Sequence, residues 1–155
     1  MAVLFERFVL NFSKIIYNKK HLTANEYKVH SPKIAWGMDI EYDNIGLENL
    51  PQMRTDIVIE SCKDRIQTII DTKYYAFALA SGNFGEARKL KIDNLYRICA
   101  YVTNSPYNGS VSGMLLYPTT GQELNLEYKI NGKIIKVKPL IFPLVGKLFQ
   151  KGCWR

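Results

Sequence analysis

The chain has 155 residues, enough for one domain with a sizeable core, and its 47% hydrophobic and 23% charged composition excludes disorder for most of its length. Its 21 Lys and Arg against 14 Asp and Glu give a formal charge of +7, which favours an anionic partner, nucleic acid first among them. Three cysteines without a C-x-x-C pair give neither a disulfide framework nor a zinc site, and no segment is long and apolar enough to span a membrane, so the cytoplasm is the expected compartment.

Leu4, Phe5, Phe8, Val9, Phe12, Ile15 and Ile16 recur at helical spacing and predict an amphipathic helix over residues 3–18. Glu6 lies at the border of its apolar stripe, and the segment lacks a signal-peptide cleavage site. Short β-like pieces follow at 27–29 and 34–42, broken by Ser31-Pro32, and 43–52 reads as a loop. Residues 54–60 and 66–75 are rich in Ile, Val, Thr and Tyr around Lys63-Asp64 and predict an antiparallel hairpin. A loop at 83–86 leads to a helix over about 88–103, with Ile92, Leu95, Tyr96, Cys99 and Val102 on its apolar face. A buried strand at 111–117 precedes a second hairpin, 124–130 with 133–137, turning at Asn131-Gly132. This order predicts an α/β domain with helices packed on a sheet, over residues 1–145, and a C-terminal tail at 146–155.

The first hairpin carries the chemistry. Counting outward from a turn centred between Lys63 and Asp64 pairs Cys62 with Arg65 and sets Asp56 opposite Asp71. Directly opposed residues lie about 4.5–5.5 Å apart at Cβ, so two carboxylates there repel unless one is protonated or a cation lies between them. Magnesium, with manganese as the alternative, suits the place, because it is commonly held by one or two carboxylates plus a phosphate. Lys73 points to the same face as Asp71 and aims a fixed positive charge at an attacking water or a scissile phosphate. Together these parts describe metal-assisted hydrolysis of a phosphodiester. The plain alternative is a modest Asp71–Lys73 ion pair on a strand, with Asp56 at its edge.

Glu6 is a further metal candidate, and Arg88, Lys89, Lys91 and Arg97 suit contacts with a phosphate backbone. For each, an ordinary solvated surface is the competing reading. There is no G-x-x-x-x-G-K-[ST] loop, so no nucleotide is expected on this chain, and no G-x-S-x-G elbow.

The stretches Leu50-Pro51-Gln52-Met53-Arg54-Thr55-Asp56-Ile57 and Ile69-Ile70-Asp71-Thr72-Lys73-Tyr74-Tyr75 resemble the McrC family, the nuclease subunits of modification-dependent restriction systems. Asn94-Leu95-Tyr96-Arg97-Ile98-Cys99-Ala100-Tyr101, Gly113-Met114-Leu115-Leu116-Tyr117-Pro118-Thr119 and the opening Leu4-Phe5-Glu6-Arg7-Phe8-Val9 extend the similarity over residues 4–120. The resemblance implies a PD-(D/E)xK restriction-endonuclease-like fold, a central mixed β-sheet flanked by helices. By motif position it makes Asp56 the first carboxylate, with Thr55 where many relatives carry proline, and Asp71 and Lys73 the D-x-K pair. It makes Glu6 a helix glutamate that helps to bind metal, and draws Thr72 into the metal set. Arg97 stands where the family commonly carries glutamine, four residues before Tyr101, which joins the candidates for the DNA backbone.

The resemblance further implies a Mg-dependent endonuclease cutting DNA that carries 5-methylcytosine, together with a GTP-hydrolysing AAA+ partner of the McrB type. In the family that partner docks on a region N-terminal to the nuclease, and here the nuclease begins almost at Met1. Two rival readings stand beside this one: a truncated, inactive nuclease fold that only binds DNA or the partner, and a stand-alone nuclease of another PD-(D/E)xK branch.

Overall fold

A computed structural model describes residues 1–20, 26–39, 41–74, 79–80, 89–118 and 124–140. In chain order these form α1 (Ala2–Lys20), β1 (Tyr27–His30), β2 (Lys33–Ile34), a 3-10 turn at Leu47–Asn49, β3 (Met53–Arg54), β4 (Ile57–Ser61) and β5 (Ile66–Thr72). There follow β6 (Leu79–Ala80), β7 (Lys89–Leu90), α2 (Ile92–Asn104), β8 (Ser110–Pro118), β9 (Leu126–Ile130) and β10 (Lys133–Leu140). Six strands make one mixed sheet in the order β1-β4-β5-β8-β10-β9. The β5–β8 and β8–β10 pairs are parallel and the others antiparallel. The expected α/β class, with helices packed on a mixed sheet, is what the chain adopts.

Alternation along each strand sorts the side chains onto two faces. Ile57, Ile59, Ile70, Met114 and Leu116 turn to α1, where Phe5 and Val9 meet them. Val58, Ile69, Leu115, Ile135 and Val137 turn to α2, where Ile98 and Val102 meet them. β5 is buried along all its inner positions because it lies mid-sheet with a helix over each face. α2 comes close to β8 at Gly113, where a Cβ would fall 2.6 Å from Ile98 Cγ1 and 2.9 Å from Val102 Cγ2. The second hairpin turns as its sequence predicts, with Asn131 at φ 49° and Gly132 at φ 76°, values that suit a two-residue turn between twisted strands.

The first hairpin keeps its predicted register. Ile57 pairs with Ile70 and Ser61 with Ile66, so the next position outward sets Asp56 against Asp71. The turn is wider than two residues: it runs over 62–65, with Arg65 at φ 53° and Asp64 accepting from the Ser61 hydroxyl. The centre is unchanged, and so is the pairing.

Four expectations are corrected. Residues 54–60 are not one strand, since β3 pairs with β2 in a separate sheet and the break falls at Thr55-Asp56. There both the N–H and the hydroxyl of Thr55 donate to the Pro32 carbonyl, drawing the backbone away from β5. Residues 34–42 are strand only at Ile34, because the chain then crosses to α2, where the Asn104 side chain accepts from Gly37 N–H at 2.7 Å. The second hairpin's first strand starts at Leu126, not 124. The second helix starts at Ile92, not 88, so Lys89 lies in β7 and Lys91 is the residue that caps α2. Arg88, His21, Cys153, the loop at 83–86 and the tail at 146–155 lie outside the described residues.

Candidate active site

The strand break creates the site. Where β4 ends, the N–H of Thr72 donates to Asp56 Oδ2 at 2.7 Å, so a side-chain carboxylate accepts the bond in place of a neighbouring backbone. The Thr72 hydroxyl donates to the same oxygen, also at 2.7 Å. Asp56 is thereby held at the end of the hairpin, half-buried, on the side of the sheet that α2 covers.

Asp71 lies beside it, 1% exposed. Lys73, 6% exposed, brings its ammonium to 2.7 Å from Asp71 Oδ2. The two form a buried ion pair, with the ammonium as the contact made by Oδ2 among the described residues. Burial pushes the Asp71 carboxyl up to about 6; Lys73 opposes that shift and the Asp56 charge adds to it. The backbone of Lys73 is fixed by its N–H, which donates to Leu116 O at 2.8 Å.

Glu6 overhangs from the first turns of α1, half-buried. Its carboxyl is raised first by burial and then by the Asp56 charge, while Arg54 and Arg7 pull it down. The helix is seated there by Phe5, whose ring centroid lies 5.7 Å from that of Tyr74, just past Lys73. From the opposite face, α2 presents Arg97 and Tyr101 one turn apart. Arg97 is exposed and its charge reaches Asp71. Tyr101 is buried, with its hydroxyl donating to Arg54 O at 2.9 Å, so it braces the strand break and holds no group out to a ligand.

The structure therefore gathers Asp56, Asp71, Thr72, Lys73 and Arg97 at one end of the hairpin, with Glu6 and Arg54 at the rim. Lys89 and Lys91 stand on the exposed approach to α2 and belong to no such cluster. Arg54, two residues before Asp56, is a rim residue that strand alternation puts on the same side as Asp56 but that no motif in the sequence singles out.

A divalent cation fits what is present. The donors are hard carboxylate oxygens: Asp71 Oδ2 is met by the Lys73 ammonium, while Asp56 Oδ1 accepts no hydrogen bond among the described residues and stays open to a cation. Among the described residues no three His, Cys, Asp or Glu side chains converge closely enough to enclose an ion on their own. The set instead suits an ion that keeps waters and takes a further oxygen from its substrate. No family model matches the chain, and no curated protein was found to be similar to it.

Proposed function

We propose that the chain is a divalent-metal-dependent endodeoxyribonuclease built on a PD-(D/E)xK type of α/β fold. Asp56 and Asp71 hold magnesium or manganese, Lys73 serves as the catalytic cation and Glu6 gives an outer ligand. The observation that carries this reading is a buried carboxylate, Asp71, set opposite Asp56 and touched by a buried lysine two residues on. An exposed ion pair would need none of that burial, and a buried carboxyl raised to about 6 beside a specific charge partner is the kind of group that clusters at functional sites.

A bound divalent ion supplies a water of lowered pKa and positive charge facing the phosphoryl oxygens. Asp71 and Asp56 orient it from one face of the sheet. Lys73, held by its own backbone bond to β8, places a fixed charge where negative charge grows on the phosphate, in a setting of low dielectric that strengthens the effect. Arg97, exposed on α2, takes a phosphate oxygen of the strand being cut. The +7 charge draws the DNA backbone to the whole surface. From the McrC resemblance we further propose that the substrate carries 5-methylcytosine and that cutting needs a GTP-hydrolysing AAA+ partner.

The test is cleavage of methylated plasmid with magnesium and GTP, with and without an McrB-type GTPase. Asp71→Ala and Lys73→Ala should each lower the rate on the order of 10³-fold while thermal melts remain cooperative. A folded wild-type chain that never cuts, or cutting that survives both substitutions, would sink the proposal.

A further inference from the structure

We propose that Thr72 is the positioning residue of the metal site: it takes Asp56 Oδ2 with both its hydroxyl and its N–H, leaves Oδ1 for the cation, and so favours a small ion bound through one oxygen. The inference rests on the metal-site reading above and goes beyond it, because it assigns the Thr72 side chain a task and predicts which ions the site prefers.

The geometry is specific. Both bonds measure 2.7 Å and both fall on Oδ2, whereas Oδ1 accepts none among the described residues. Hydrogen bonds to an ionised acceptor are among the stronger ones, and two on a single oxygen fix the carboxylate plane as well as its place. Asp56 needs this help because the strand break leaves it outside the β4–β5 ladder, where backbone pairing no longer orients it. Thr72 is the last residue of β5, paired in the ladder with Leu116, so the hydroxyl is carried by a central strand of the sheet.

An oxygen engaged in this way cannot join its partner oxygen on one cation. Calcium readily takes both oxygens of a carboxylate at 2.3–2.6 Å, whereas magnesium demands near-octahedral geometry at 2.0–2.1 Å from single oxygens. Asp71 adds to the bias, since its Oδ2 is crowded by the Lys73 ammonium. Removing the Thr72 hydroxyl leaves Asp56 Oδ2 with the N–H bond alone, which loosens the carboxylate plane, weakens the small ion and admits the larger one.

The measurement is Mn²⁺ and Ca²⁺ affinity of the full chain by titration calorimetry, without DNA, for wild type, Thr72→Val, Thr72→Ala and Thr72→Ser. Val and Ala should each weaken Mn²⁺ on the order of 10-fold and move the Mn²⁺/Ca²⁺ preference toward calcium; Ser should restore both values. A general loosening of the fold would not shift the ratio between ions or be rescued by Ser. Ala removes volume without adding any, so a folding failure of Val alone leaves the test standing. If wild type binds Mn²⁺, Asp56→Ala does not, and Val and Ala bind like wild type, the inference falls while the metal site survives. If wild type binds no Mn²⁺, both fall.

Discussion

The two ends of the β4–β5 hairpin carry similar residues in opposite states. Near the turn, Glu60 Oε1 accepts from Gln67 at 3.0 Å and lies 3.0 Å from His30 Nε2, and Gln67 in turn accepts from the Ser105 hydroxyl. One strand over, the Thr68 and Ser112 hydroxyls share a bond of 3.2 Å. At the open end, Asp71 is more deeply buried than Glu60, and its Oδ2 is met by the buried Lys73 ammonium at 2.7 Å. The first end is a network of hydrogen bonds that satisfies its polar groups, and the second is a buried ion contact, the part of the hairpin on which the proposed function rests.

That contrast can be broken most sharply by pH. In the folded chain Asp71 keeps its proton up to about 6, against an ordinary 3.8. The unfolded state therefore releases the proton first. The stability that this group contributes is fully present below 3.8 and is lost as the pH rises through about 6, by about 3 kcal/mol. The difference in unfolding free energy between wild type and Asp71→Asn, from urea melts across pH 4 to 7, should fall by that amount. A difference that stays constant would place Asp71 in the same satisfied class as Glu60.

A smaller effect is expected at the other end. Glu60→Ala strips His30 and Gln67 of their acceptor and should cost about 2 kcal/mol in the same melts, with Mn²⁺ affinity unchanged. Loss of metal binding in that variant would show that the two ends are one coupled network. The smallest effect belongs to Arg97. Arg97→Ala should weaken DNA binding evenly across sequences and lower the slope of log affinity against log salt by about 1, as read by anisotropy in calcium buffer. An unchanged slope would remove Arg97 from the phosphate path.

Much of the open end was legible in the sequence because a hairpin's register is arithmetic. Once the turn was centred at 63–64, Asp56 opposite Asp71 followed, and widening the turn to four residues left the sum of paired numbers unchanged. The apolar faces of α1 and α2 were legible by period for the same reason. The break at Thr55-Asp56 was not, since it depends on the Pro32 carbonyl, distant in sequence, capturing the N–H and hydroxyl of Thr55. A proline at position 55 would supply neither donor, so threonine there has a local role. Nor could periodicity show that Tyr101, which looks suited to a ligand, would spend its hydroxyl on Arg54 O.

β5 and β8 are parallel neighbours, and the chain between them includes α2. An antiparallel hairpin closes over a few residues, whereas a parallel pair must wait for its crossover, and contacts distant in sequence form slowly. The hairpin alone brings Asp56 and Asp71 together, whereas Arg97 reaches them only through the crossover segment that carries α2. The acidic pair is therefore set by a contact local in sequence, and its burial by contacts that span the crossover.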